Sequence, residues 1–261
     1  MPFHDVGSIC YYSFDNLDEN KVLNATFTRR GGISPPPWAS LNMGGLRGDD
    51  PERVYANRVT AFNSVGRQPE SVFDVWQVHG NSVICTKAPR AYGKPHQKAD
   101  AIFTDHPEIT LFMRFADCVP ILLFDPRKKV IGLVHAGWQG TVNKLVSEAL
   151  DAISAQYGCA HGDIMAAIGP SICPDHYSVG EEVVNKVKSE FGKDAETLIN
   201  EREGRYHFNL WEANRLLLES KGIKDIFVSN ICTACNLNDW YSHRGEAGHT
   251  GRFGVIMALP G

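Results

Sequence analysis

The chain has 261 residues, 43% of them apolar and 21% charged, with a net charge of −4 and a sequence pI of about 6.2. That is ample chain for a core, and the composition is that of an ordinary folded protein. There is no Lys/Arg-rich block to favour nucleic acid, no uncharged apolar run near the ~20 residues that span a bilayer, and no basic-then-apolar leader to direct export.

Near the start, Tyr11, Tyr12 and Phe14 predict a short edge strand, and residues 22–28 alternate as a second strand. Residues 29–50, RRGGISPPPWASLNMGGLRGDD, carry seven glycines and prolines between Gly31 and Gly45, which forbid regular structure. A loop of that length in a compact domain, with its arginines and Asn42, is expected to be functional. Asp50 can cap the helix that follows, with Pro51 in its first position, Tyr55, Val59 and Phe62 as its apolar face, and Arg58 beside that face. Residues 72–78 and 83–86 predict strands joined by a tight turn at Gly80 and Asn81, so His79 falls at a strand end. A polar loop over 87–99 precedes strands at 101–103 and 109–115.

The stretch 116–140, ADCVPILLFDPRKKVIGLVHAGWQG, has two apolar runs divided by a charged turn, the pattern of a hairpin. Folding it about Arg127 sets Cys118 almost opposite His135 at the open end of the ladder. Thr141 is the expected cap of a helix with Val142, Leu145, Val146, Ala149 and Ile153 inward, ended by Gly158. A buried strand over 164–168 enters the turn GPSICP. Ser178 and Glu181 predict a capping box for a helix through Val183, Val184, Val187 and Phe191. Asn209 with Glu212 opens another helix, ending at Gly222, before strands at 226–228 and 253–259. Strands and helices mix without a strict βαβ rhythm, repeat or linker. The expectation is an α+β fold, mixed β-sheets flanked by helices, as a single domain over 1–261.

Seven scattered cysteines do not form a disulfide framework, and without an export signal the expected setting is a reducing cytoplasm. His79, Cys118 and His135 each sit at a strand end beside glycine or alanine, which leaves room for a ligand. Two imidazoles and a thiolate suit an open zinc site whose fourth position takes water or substrate. The same pair, Cys118 and His135, also suits a thiol hydrolase with a cysteine nucleophile and a histidine base. Asp117 adjoins Cys118 and could orient a ligand histidine or carry a proton. Cys232 and Cys235 have knuckle spacing but no second pair in the sequence to complete a zinc site; His243, eight residues on, is the one partner at hand. Arg244 and Arg252 stand in a glycine-rich segment suited to an anion.

The motifs WQVHG, ADAIFTD, ADCVPILLFD, GLVHAGWQG, IGPSIC, the Cys232–Thr233 pair and YSHR occur in order from about residue 22 to 259. Together they resemble the laccase-domain family, also called multicopper polyphenol oxidase or YfiH/YlmD-type purine nucleoside phosphorylase. That resemblance implies one zinc on His79, Cys118 and His135, with copper the less favoured ion. It implies phosphorolysis of adenosine, inosine, guanosine and methylthioadenosine, adenosine deamination, and substrate contacts from Asn42, Arg58, Gln77 and Arg244. Its partners would be purine nucleosides and phosphate. The chain departs from the family pattern at Asn42–Gly45 and where His243, Gly245 and Glu246 replace a more basic run, which removes a second arginine at 245. Multicopper oxidation needs about ten His and Cys ligands in repeated H-x-H pairs. Ten histidines in all, with no H-x-H, do not support oxidase chemistry.

Overall fold

The computed structural model describes residues 3–45, 48–91 and 93–261; Leu46 and Arg47 of the first glycine-rich loop, and Tyr92 of the polar loop, lie outside them. Two six-stranded mixed sheets form the centre. The first runs in the order β1 (Phe3–Val6), β2 (Ile9–Tyr12), β3 (Leu23–Phe27), β15 (Phe253–Ala258), β7 (Thr110–Phe115) and β4 (Val72–Asp74). The second runs β14 (Asp225–Val228), β10 (Met165–Ile168), β8 (Val119–Asp125), β9 (Val130–Ala136), β6 (Ala101–Thr104) and β5 (Val83–Cys85). A small third sheet joins β11 (Ser178–Val179), β13 (Arg205–Phe208) and β12 (Ile199–Arg202). The helices are α1 (Asp15–Glu19), α2 (Pro51–Ser64), α3 (Trp138–Val142), α4 (Leu145–Tyr157), α5 (Glu181–Phe191), α6 (Ala195–Leu198) and α7 (Leu210–Ser220). The α+β expectation with mixed, helix-flanked sheets is met.

The layers follow from strand alternation. Val119, Ile121 and Leu123 of β8 pack against Leu145, Ala149 and Ile153 of α4 and Leu217 of α7. Leu122 and Phe124 turn the other way, against Leu111, Met113, Phe253 and Val255 of the first sheet. On the outer face of that sheet, Ala25, Phe27, Phe112 and Ile256 meet Ala61 and Phe62 of α2. The result is helix, sheet, sheet, helix. Every residue of β8 and β9 is buried, which is why both read as continuous apolar runs. Gly132 is required inside β9: a Cβ there would sit 2.0 Å from the ring of Phe103, its cross-strand partner.

Several local expectations give way to tertiary structure. The tyrosine strand is β2, internal between β1 and β3, and Phe14 instead caps α1. Residues 72–86 are not a hairpin, because β4 joins β7 in the first sheet while β5 joins β6 in the second. In α2 the buried face is Val54, Asn57, Ala61 and Phe62, with Tyr55 exposed, because Asn57 turns inward to order the glycine-rich loop. Its amide donates to Ser34 Oγ, Ser40 O and Asn42 O and accepts from Ile33 N. Thr141 is not a cap: it lies within α3, and a left-handed Lys144 separates α3 from α4. Ser178 belongs to β11, so Gly180 opens α5 without a side-chain cap. Asp50 and Asn209 cap α2 and α7 as expected.

At the end of β4, Asp74 is 2% exposed and lies 2.6 Å from Arg90 Nε and 2.9 Å from His96 Nε2. Burial alone would raise its carboxyl, but His96, Arg114 and Arg90 outweigh it and hold the group far below the usual carboxylate range. An acid depressed in the folded state stabilises fully above the unfolded value, ~3.9, and less as pH falls. Asp74→Asn is expected to cost about 3 kcal/mol at neutral pH, with the gap from wild type shrinking below about pH 4. Denaturant titrations across that range check it.

Candidate active site

The strand β7 leaves the first sheet and the chain enters the second at β8 through Ala116, Asp117 and Cys118. His135 is the penultimate residue of β9, paired with Pro120, so Cys118 comes to the same rim, as the hairpin register predicts. His79 arrives from the segment after β4, in a left-handed conformation with φ 60°. The nitrogen and sulfur ligand atoms of His79, Cys118 and His135 all lie within 4.8 Å of one another. The two imidazoles meet edge to face with centroids 4.9 Å apart. Gly137 leaves room for the group: a Cβ there would sit 3.0 Å from Cys118 Sγ and 3.1 Å from His79 Cδ2.

One carboxylate organises both histidines. Asp100, fully buried at the start of β6, takes His135 Nδ1 at 2.8 Å. The same carboxylate accepts the backbone N–H groups of Val78, His79 and Gly80, at 3.2, 3.0 and 2.8 Å. Those bonds hold His79 in a conformation that a β-carbon disfavours. With Nδ1 directed at a carboxylate, Nε2 of His135 is the nitrogen left to serve a metal or a thiol. Adjacency to Cys118 in the sequence points to Asp117 for this role, but Asp100 fills it. The quoted motif ADAIFTD held the residue, but only the β6–β9 register brings it to His135.

Burial would raise the Cys118 thiol, but His135 and His79 outweigh it and bring it down to about 6. Burial would lower His135, and Cys118 with Asp100 reverse that, taking it up to about 9. The site therefore favours a thiolate beside positive charge, the donor a soft cation requires.

Two clefts meet at His79 and Cys118. One, of about 300 Å³, is lined by Gly44, Gly45, Trp76, Gln77, Arg114 and Arg252 around His79, Cys118 and His135. The other, of about 360 Å³, is lined by Ile172, Trp138, Tyr177, Leu210 and Arg244 and shares His79 and Cys118 with the first.

Other expected residues fall in different places. Gln77 lies in the first cleft and is held to Arg114, donating to its carbonyl at 2.8 Å and accepting from its N–H at 3.0 Å. Arg244 lies in the second cleft, stacked 5.2 Å over Tyr177 and donating to Ser178 O and Oγ. Asn42 is fully buried and binds Gly44 N, Arg252 N and Asp49, so it shapes the cleft wall from behind. Arg58 is not brought to either cleft: it donates to Met43 O, lies over the Phe112 ring and lines a separate cavity with Tyr55 and Arg90. Asp117 accepts from Thr233 Oγ1 and Ser242 Oγ, both at 2.7 Å, and from Arg244 N at 2.6 Å. It anchors the 242–244 turn and does not orient a ligand histidine. Arg114 carried no motif signal and emerges only from the cleft lining, whereas Trp76, in the same lining, stands in the motif WQVHG.

A family described as multi-copper polyphenol oxidoreductase laccase matches residues 23–260. A purine nucleoside phosphorylase from Deinococcus radiodurans is 38% identical, over 92% of this chain and 90% of its own length. The purine nucleoside phosphorylase YlmD of Bacillus subtilis is 33% identical over 94% and 91%. The crystal structure of YlmD from Geobacillus stearothermophilus superposes with a TM-score of 0.92 at 30% identity, covering 100% of this chain and 99% of that one.

Proposed function

The chain belongs to the multi-copper polyphenol oxidoreductase laccase family, and from that premise we propose that it is a metal-dependent purine nucleoside phosphorylase. Relatives covering nine-tenths of the chain are named purine nucleoside phosphorylase. The observation that carries the reading is the meeting of an arginine-bearing cleft and an aromatic cleft at His79 and Cys118, two of the three grouped ligands.

In phosphorolysis a phosphate oxygen bonds to the sugar C1′ while the C1′–N9 bond breaks, and the purine leaves with the electron pair and takes a proton. We assign Arg114 and Arg252 to the phosphate and Trp138 and Tyr177 to the purine face. Guanidinium groups fix the nucleophile's position, and aromatic walls exclude water from the sugar carbon. His79, Cys118 and His135 would hold the metal, and their soft, mixed donor set suits zinc. When bound, zinc would supply Lewis acidity at an oxygen and lower the pKa of a bound water to ~7. Adenosine deamination fits the same site with the purine turned end for end, because either cleft reaches Cys118. Asp117 is assigned a positioning role, since three hydrogen bonds already engage its carboxylate.

Copper-cluster oxidation needs many more ligands than the three whose donor atoms gather here. Cys118, His135 and Asp100 also reproduce the order of a thiol hydrolase, the one competing reading that the geometry favours. A chelator would spare such an enzyme and iodoacetamide would stop it.

The test is chromatography of adenosine, inosine, guanosine and methylthioadenosine incubated with the protein, with and without phosphate. Free base with an equimolar sugar 1-phosphate (ribose 1-phosphate, or 5-methylthioribose 1-phosphate from methylthioadenosine), dependent on phosphate, is the expected result. Base and free ribose at the same rate without phosphate would overturn phosphorolysis, and inosine from adenosine would report deamination separately.

A further inference from the structure

A second group of ligands gathers outside the linings of both clefts. His176 Nδ1 lies 3.4 Å from Cys173 Sγ, 3.9 Å from Cys232 Sγ and 3.4 Å from Cys235 Sγ. All four ligand atoms lie within 4.8 Å of one another. We propose that Cys173, His176, Cys232 and Cys235 form a second, structural zinc site, distinct from the one at Cys118.

The geometry is that of a closed tetrahedron. Zinc–sulfur bonds of about 2.3 Å and zinc–nitrogen bonds of about 2.0 Å set the N···S edges of a tetrahedron at about 3.5 Å. The three edges observed bracket that value. Each half is an i, i+3 pair, Cys173-Pro-Asp-His176 and Cys232-Thr-Ala-Cys235, the spacing by which a tight turn presents two donors to one ion. The backbone N–H of Cys173 donates to Cys232 Sγ at 3.3 Å, the contact by which a turn stabilises a thiolate. All seven cysteines are free thiols. Three sulfurs and an imidazole select zinc over harder cations. Four protein ligands leave no open corner, so the site is structural and not catalytic.

The position explains its use. The two turns follow β10 and β14, which pair in parallel, and a bridge between Ser171 and Cys232 continues that pairing. From these turns the chain reaches the active site at three points. Thr233 Oγ1 donates to Asp117, Ile172 N donates to Asp117 O, and Tyr177 forms the wall of the aromatic cleft. An ion at the four ligands would lock the two turns together and hold Asp117 and Tyr177 in register with Cys118.

The experiment is elemental analysis of purified protein, with cobalt replacing zinc as a visible probe. The wild type is expected to hold two zinc ions per chain, Cys118→Ala one, and the His176→Ala/Cys235→Ser double variant one. Both residues changed in the double variant are exposed, which limits damage to the core. Cobalt added to the Cys118→Ala protein should give the intense thiolate-to-metal absorption of a tetrahedral site, with no variant of the second site needed. A double variant with wild-type zinc content, a Cys232–Cys235 disulfide in the mass of the protein purified without reductant, or colourless cobalt-loaded Cys118→Ala would each overturn the proposal. Because metal is counted and not turnover, the result stands apart from whether the protein cleaves nucleosides.

Discussion

Cys118→Ala is expected to lower phosphorolysis by on the order of 10³-fold, about 4 kcal/mol of transition-state stabilisation, and to empty the metal position beside it. Cys118 is the single sulfur of the three-ligand group, and the only one of the three reached from the turn between the two sheets. Its thiol is held at about 6 by His135 and His79 against the opposing effect of burial. Removing it leaves two imidazoles and adds to the room that Gly137 already leaves beside them. Turnover of inosine with phosphate, measured with metal content on the same sample, checks this. Wild-type metal content with full turnover would contradict a shared site. Wild-type metal content with lost turnover would favour a thiol nucleophile.

Asp100→Asn is expected to weaken metal binding by about 10–100-fold, although the residue is not itself one of the three ligands. Its carboxylate accepts His135 Nδ1 and three consecutive backbone N–H groups that set the φ of His79. An asparagine keeps the size and loses half the acceptors, and its NH₂ must face at least one donor. Each buried donor so stranded costs ~1–3 kcal/mol, so the melting temperature should fall together with affinity. Competition with a graded series of chelators measures the first effect and calorimetry the second. Unchanged affinity would mean that His79 and His135 hold their positions without it.

These two residues also mark the boundary of what the linear sequence discloses. Cys118 and His135 were legible because β8 and β9 are adjacent, joined by a short turn and buried on both faces, so their apolar runs and register could be read directly. Asp100 was not, because it meets His135 across the β6–β9 pairing, 35 residues away. The hairpin expected at 72–86 failed for a related reason: two strands close in sequence part into different sheets, and local turn chemistry at Gly80 and Asn81 says nothing about that. The Cys232–Cys235 pair was visible as a knuckle without a mate. Its mate, Cys173 and His176, lies 56 to 59 residues earlier and is brought over only by the parallel pairing of β10 with β14. Arg58 and Asn42 carried polar side chains in the expected segments, but both are consumed by the backbone of the loop they support.

The account depends on one ion, held by His79, Cys118 and His135, that works together with phosphate. The most direct measurement follows free base released from inosine in protein stripped of metal by a chelator and then restored with zinc, at several phosphate concentrations. The expected result is no release from stripped protein and recovery on restoring zinc, with a rate that rises and saturates with phosphate. Full release from metal-free protein, or a rate indifferent to phosphate, would contradict it.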